Sequence, residues 1–205
     1  MFADRTDAAR RLAAALSAFK GTHPLILGIP RGAVPMARDI AAALGGEVDT
    51  VLVRKLRAPG NPEFAIGAID ESGWTFLGEG ARITGASPGY IERERQTQLA
   101  LMRERRSAYT AHREARDPAG RVVIVVDDGL ATGSTMIAAL HALRGRSPSK
   151  LVCAVPVAPA ETVDAVRASC DELVCLETPP DFHSVGQFYR DFAQVEDEAV
   201  IAALS

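Results

Sequence analysis

Val122-Val-Ile-Val-Val126, Asp127-Asp128, Gly129-Leu130-Ala131, Thr132-Gly133-Ser134-Thr135-Met136: this stretch decides the fold. An unbroken run of β-branched apolar residues suits a strand buried on both faces, as in a parallel sheet. The strand ends on two carboxylates, and a helix-period run (Met136, Ile137, Ala139, Leu140, Leu143) begins a few residues later. Between them lies a loop of small residues with hydroxyls where a helix N-cap falls. Such a loop aims backbone N–H groups and the positive end of a helix at one spot, which makes an anion pocket. A strand ending on Asp-Asp can also be a structural cap, and Thr-Gly-Ser-Thr is ordinary turn chemistry. Their conjunction, after so apolar a strand and before so regular a helix, points to a ligand carrying a phosphate together with vicinal hydroxyls or a metal.

The pattern of strand, tight glycine loop and helix occurs once more upstream. Pro24 to Ile29 reads as a short apolar strand that runs into Pro30-Arg31-Gly32-Ala33-Val34-Pro35 and a helix from about Pro35 to Leu44. Pro35 suits a first helical turn, where its missing N–H would be unpaired anyway. Arg31, at a strand end beside exposed amides, is a natural second anion site. Val48 to Val53 is the next buried strand and ends on Arg54-Lys55-Leu56-Arg57. So dense a group of cations at a strand's C-terminal end is costly without an anion to meet. Ala58 to Glu63 is turn-rich and lid-like. Phe64 to Ile69 and Trp74 to Leu77 alternate as two short strands around the Asp70–Gly73 turn.

The remaining elements follow from period and punctuation. Asp4 to Phe19 is an amphipathic helix capped near Asp4 or Thr6 and stopped by Gly21. Pro88 to about Arg116 is a long charged helix whose Glu/Arg pairs at i,i+3 and i,i+4 suit a solvated face. Lys150 to Val157 is a strand, Ala160 to Ala168 a helix, Glu172 to Leu176 a last strand and Glu196 to Leu204 a closing helix. Strands and helices alternating at this spacing give an α/β fold, with a mostly parallel twisted sheet between helices on both faces. Ligands in such sheets sit at the C-terminal ends of the strands, where Asp127, Arg31 and Arg54 fall.

Composition narrows the class. With 205 residues, 47% hydrophobic and 24% charged, the chain suits one globular domain over residues 1–205. A net charge of −3 leaves no basic footprint for nucleic acid. The apolar runs are far shorter than a membrane span, and no secretory signal is read at the N-terminus. Cys153, Cys170 and Cys175 have neither zinc spacing nor an even count, so reduced thiols in a cytoplasmic setting are expected, with Cys153 in the core.

Val122 to Met136 resembles the 5-phosphoribosyl 1-diphosphate (PRPP) binding motif of the type I phosphoribosyltransferases: apolar strand, two acids, three variable positions, then Thr-Gly and small or hydroxyl residues. The resemblance implies that Ala131, Thr132, Gly133, Ser134 and Thr135 hold the 5′-phosphate and that Asp127 and Asp128 hold the ribose hydroxyls. It assigns the diphosphate to Arg31, Gly32 and Ala33, in a loop that often has a non-proline cis peptide, expected here at Arg31–Gly32. Arg54-Lys55, followed by Pro59-Gly60, looks like the corresponding turn of adenine phosphoribosyltransferases, whose basic residues reach diphosphate. Asp127, Asp128 and Lys55 are the catalytic candidates. The acids near the turn-rich segment, Glu63, Asp70 and Glu71, give no assignable base. The motif is nearest the adenine and orotate branches; the 6-oxopurine branch has an Asp where this chain has Ala131, which argues against a usual hypoxanthine or guanine enzyme.

The family fold further implies a flexible hairpin lid, about residues 56–80, and a small C-terminal hood, about 177–194. In the hood, Phe182, Phe188 and Tyr189 are candidates to stack on a flat acceptor, against the plainer reading of an aromatic flap packed on the core. The implied reaction moves a phosphoribosyl group from PRPP to a nitrogenous base or related acceptor with release of diphosphate. It needs Mg²⁺ held mainly by the donor's oxygens and water, in a homodimer with no nucleic-acid or membrane partner. The alternative is a non-catalytic sensor of PRPP or a nucleotide; no helix-turn-helix is read ahead of Asp4 to support one. A receiver-like domain ranks last, since it places its acid pair near the domain start.

Overall fold

The structure is a computed structural model and describes residues 1–110 and 115–205, with the backbone alone at Glu63. At its centre is a five-stranded sheet of order β2-β1-β6-β7-β8, built from β1 (Leu25–Gly28), β2 (Glu47–Thr50), β6 (Val122–Val126), β7 (Lys150–Val157) and β8 (Glu172–Glu177). All four pairings are parallel. Alternation along the strands sends side chains to opposite faces. Ile26, Ile124, Val126, Val152 and Ala154 join one buried cluster, under α1 (Arg5–Ala15) and α2 (Ala33–Leu44). Leu25, Leu27, Val123, Val125, Leu151 and Cys153 join the other, under α5 (Ser134–Arg144) and α6 (Ala160–Arg167). The three-layer α/β architecture expected from the sequence is therefore present, and Cys153 lies in its core.

The chain leaves β1 toward β2 on one side and β6 toward β7 and β8 on the other. Neighbouring β1 and β6 thus form the switch point of the sheet, where a crevice opens beyond the strand ends. Both the Arg31 loop and the Asp127 loop empty into it.

A second sheet carries β3 (Val53–Ala58), β4 (Asn61–Asp70) and β5 (Thr75–Leu77), antiparallel in that order. The stretch from Ala58 to Glu63 is therefore a tight turn at Pro59-Gly60 inside a hairpin, with Ala58 opposite Asn61 and Gly60 at φ 72°, instead of an open loop. The basic segment Arg54–Arg57 likewise lies in β3, since the buried strand before it already ends at Thr50. The hairpin rests on α4 (Pro88–Tyr109) and α7 (Asp197–Leu204) through Leu52, Leu56, Ile66, Ile69, Leu99, Met102 and Val200. Its far turn is fixed by Trp74, stacked on His141 of α5 with ring centroids 3.4 Å apart.

Several boundaries differ for local reasons. The first helix ends at Ala15 and continues as a 3-10 turn, Ser17–Phe19, while Asp4 caps its start by accepting from the Asp7 amide at 2.8 Å. α4 stops at Tyr109; the expected helix over 111–114 lies outside the described residues, and Ala115 and Arg116 are not helical. Nor is α4 only a solvated helix. Glu94, 8% exposed, accepts from Arg57 Nε of the hairpin at 2.9 Å and from Gln98 Nε2 at 2.8 Å. The short helix α3 (Glu79–Ile83) and a 3-10 turn at Val185–Phe188 have no apolar period long enough to announce them.

Candidate active site

Two helix N-termini face the crevice. α5 starts after Gly133, whose φ of 74° suits glycine. A side chain at Gly133 would also meet Val166 and Thr162 of α6. The amide of Ile137 takes the Gly133 carbonyl at 2.9 Å, so the amides ahead of it in the first turn have no helical partner. Thr162 holds the loop from behind, its hydroxyl donating to the Ala131 carbonyl at 2.7 Å. Residues 129–136, Asp127, Lys55 and Val185 line one cavity of about 220 Å³. That cavity gathers Asp127, Lys55 and all five expected phosphate-loop residues, with Lys55 reaching in from β3.

The other N-terminus belongs to α2, which begins directly after Gly32. A Cβ on Gly32 would collide with the Asp128 carboxylate and the Arg5 guanidinium, so this loop passes against the second aspartate. Gly32 and Ala33 thus stand where an anion beside Asp128 would meet them. The cis peptide is Pro30–Arg31, one bond ahead of the expected Arg31–Gly32. The Arg31 side chain pairs with Glu196 at the start of α7, 3.1 Å away.

The aspartates are unequal. Asp127 accepts the Asp128 amide at 2.9 Å. Burial, and next the charge of Asp128, push its carboxyl well above the usual range, against the pull of Arg5 and Lys55. Burial raises Asp128 too, but Arg5 opposes it, with Nε 2.8 Å and Nη2 2.7 Å from the same oxygen, Oδ2. Arg5 thus bears directly on Asp128, while burial and the neighbouring charge dominate at Asp127. Because folding strengthens the proton's hold on Asp127, the folded state binds more protons than the unfolded chain between the ordinary carboxylate range and the raised value. Stability contributed here falls as pH climbs through that window. Asp127→Asn keeps an oxygen for the Asp128 amide and removes the repulsion. It is expected to raise the neutral-pH melting temperature by roughly 2–4 °C, about 1 kcal/mol. It should also flatten the fall in stability with pH. Calorimetry across pH 4–8 checks this; an unchanged slope would show that Asp127 is not the titrating group.

Other expected residues lie elsewhere. Arg54 alternates with Lys55 along β3 and faces α4, where its Nε donates to Gln98 Oε1 at 2.5 Å. Burial, then the charges of Arg105 and Arg57, lower its pKa. It does not reach the crevice. Tyr189 is 6% exposed, and its hydroxyl donates to the Asp128 carbonyl at 2.6 Å. Phe182 and Phe188 stack on each other at 5.4 Å and pack against the core. Tyr189 is buried and the two phenylalanines are half-buried, and the residue of this segment that lines the cavity is Val185. Of the hairpin acids, Asp70 is buried and caps its own turn through Ser72 and Trp74, and Glu71 pairs with Arg106. Among the described residues no three His, Cys, Asp or Glu converge on a metal position. Two adjacent carboxylates nonetheless fit a hard cation that keeps several waters and takes other ligands from a substrate's phosphates.

A model of the phosphoribosyl transferase domain matches residues 3–193. The chain belongs to that family. Over its whole length it is 39% identical to a Mycobacterium tuberculosis protein (strains H37Rv and CDC 1551) named "Putative phosphoribosyl transferase", and it spans 46%, about half, of that relative's length. It is 45% identical to TT1426 from Thermus thermophilus, whose crystal structure matches with a TM-score of 0.84 over 99% of this chain and 97% of that one. A hypoxanthine phosphoribosyltransferase from Staphylococcus aureus shares the fold at 13% identity, with a TM-score of 0.50 over 86% of this chain and 73% of that one.

Proposed function

We propose that this chain transfers the 5-phosphoribosyl group of PRPP to a nitrogenous base or related acceptor, releasing diphosphate, with Mg²⁺ as cofactor. The observation that carries the reading is the junction of β6 and α5, where the acid at the strand's end and the amide-rich 131–135 loop line one cavity with Lys55. In this reading the loop takes the 5′-phosphate and the aspartates take the ribose hydroxyls. Gly32, Ala33 and Lys55 take the diphosphate, and Arg31 joins them by exchanging Glu196 for phosphate oxygens. Arg54 leaves the donor set. Diphosphate departs from the anomeric carbon, an oxocarbenium-like centre develops, and a base nitrogen adds from the opposite face. The protein's work is positioning and fixed charge. Magnesium, held chiefly by donor oxygens and water, would neutralise charge on the leaving group.

Ala131 supports an acceptor other than the usual 6-oxopurines. A homodimer and a cytoplasmic setting are carried from the family resemblance; the three cysteines are free. The test is diphosphate release from PRPP and Mg²⁺ across a panel of nucleobases and other nitrogen acceptors. Release with one acceptor supports the transferase. PRPP binding with no release from any of them would favour the sensor.

A further inference from the structure

The Arg5 guanidinium is used on every side. Nε and Nη2 both hold Asp128 Oδ2, at 2.8 and 2.7 Å. Nη1 donates to the Ala193 carbonyl at 2.7 Å, and the group lies over the Phe192 ring, 3.9 Å from its centre. Its side chain is only 16% exposed and that of Asp128 17%. Both contacts go to one oxygen, so Asp128 Oδ1 lies outside the Arg5 grip. A carboxylate gripped through one oxygen by two nitrogens of a planar guanidinium is restrained in orientation, with its other oxygen outside the grip.

The grip also belongs to the hood. The chain start pairs with it, Phe2 N donating to Phe188 O at 2.7 Å, Arg190 N to Phe2 O at 2.9 Å and Asp191 N to Ala3 O at 3.0 Å. Tyr189, packed on Phe2, adds the hydroxyl bond to the Asp128 carbonyl. N-terminus and hood therefore form one unit that holds Asp128 by its backbone and by its side chain.

We propose that Arg5 is a positioning residue of the donor site, fixing the Asp128 carboxylate with Oδ1 presented to a ribose hydroxyl and tying that orientation to the hood. The inference rests on the phosphoribosyl reading above and deepens it. A hydrogen bond from a sugar hydroxyl to a carboxylate is worth roughly 1.5–3 kcal/mol, about 10- to 100-fold in affinity. It is realised only if the carboxylate is already aimed.

The experiment measures binding of ribose 5-phosphate, 2-deoxyribose 5-phosphate and inorganic phosphate by calorimetry, on the wild-type chain, Arg5→Gln and Arg5→Lys. The wild type is expected to prefer the ribose ligand by about 10-fold or more. Arg5→Gln should lose most of that preference, and Arg5→Lys, which keeps the charge without the fork, should recover part of it. Inorganic phosphate should bind all three alike, since the 131–135 loop does not touch Arg5. Full discrimination in a folded variant, Lys alone if Gln does not fold, would overturn the positioning role and leave the donor reading standing. Equal loss of phosphate affinity would assign Arg5 to structure only. A wild type that binds neither sugar phosphate would remove the donor reading itself.

Discussion

Asp128→Asn is expected to cut phosphoribosyl transfer by about 100-fold or more while the protein stays folded. The size follows from the place the proposed reaction gives the group: a fixed charge aimed at the reacting sugar, whose removal typically costs roughly 10²–10³ in turnover. In the proposed site the loss exceeds that of one hydrogen bond. Asparagine offers a single oxygen, so either Arg5 or the sugar is served by an NH₂ group that cannot accept from it. If the oxygen turns to Arg5, the cleft gains a donor facing a hydroxyl; if it turns outward, the amide meets the guanidinium. Arg5 then lacks a countercharge, at a cost of about 1–3 kcal/mol, or several degrees in melting temperature. The backbone bond from Tyr189 to the Asp128 carbonyl is untouched by the substitution, which is why unfolding is not expected. Initial rates with PRPP and the accepted base, beside a melting curve, check both halves. Wild-type rates in a folded Asp128→Asn would take the sugar away from this residue and the proposed chemistry with it.

What the sequence made legible was whatever is local along the chain. β6 and β7 fall on the expected residues because unbroken apolar runs admit no other register, and the anion loop between β6 and α5 is contiguous in sequence. Lys55 and Arg54 show where this ends. Both are basic, adjacent and at a strand, and only the alternation of β3, invisible without knowing which face meets α4, sends one to the cavity and the other to Gln98. Arg5 could not be found by spacing, because it meets Asp128 across 123 positions. The rings of the hood were ambiguous for a physical reason. Aromatics gathered in an aperiodic tail suit stacking on a ligand and packing on a core equally well, and here Tyr189 is buried while Phe182 and Phe188 are half-buried against the core. The residue that does line the cleft, Val185, is an ordinary aliphatic with no signal of its own.

Gly28→Ala is expected to be strongly damaging on the donor side of the molecule. The position closes β1, and a Cβ there would lie 2.7 Å from the Ala33 carbonyl oxygen, 2.7 Å from Val34 Cα and 2.9 Å from the Ala33 carbonyl carbon. All three are backbone atoms of the first turn of α2, so no side chain can swing aside; the helix start itself must move. It cannot move alone. The Gly28 carbonyl accepts from the Thr50 hydroxyl at 2.9 Å and from the Val51 amide at 3.2 Å, which anchor the strand end below. Gly32, just ahead, is wedged against Asp128 and Arg5. Overpacking commonly costs about 1–3 kcal/mol, and a clash with backbone belongs at the top of that range, roughly 6–12 °C for a domain of this size. Lifting α2 also carries Gly32 and Ala33 away from the second aspartate, so affinity for PRPP should fall by about 10-fold or more, a loss of roughly 1.4 kcal/mol. Gly45→Ala separates the two effects. That glycine has φ 70° and open space around it, so alanine there should cost about 1 kcal/mol through backbone conformation and leave donor affinity alone. Melting curves and PRPP titrations of the two variants side by side decide the matter. If Gly28→Ala binds the donor as the wild type does, the start of α2 is not part of the donor site.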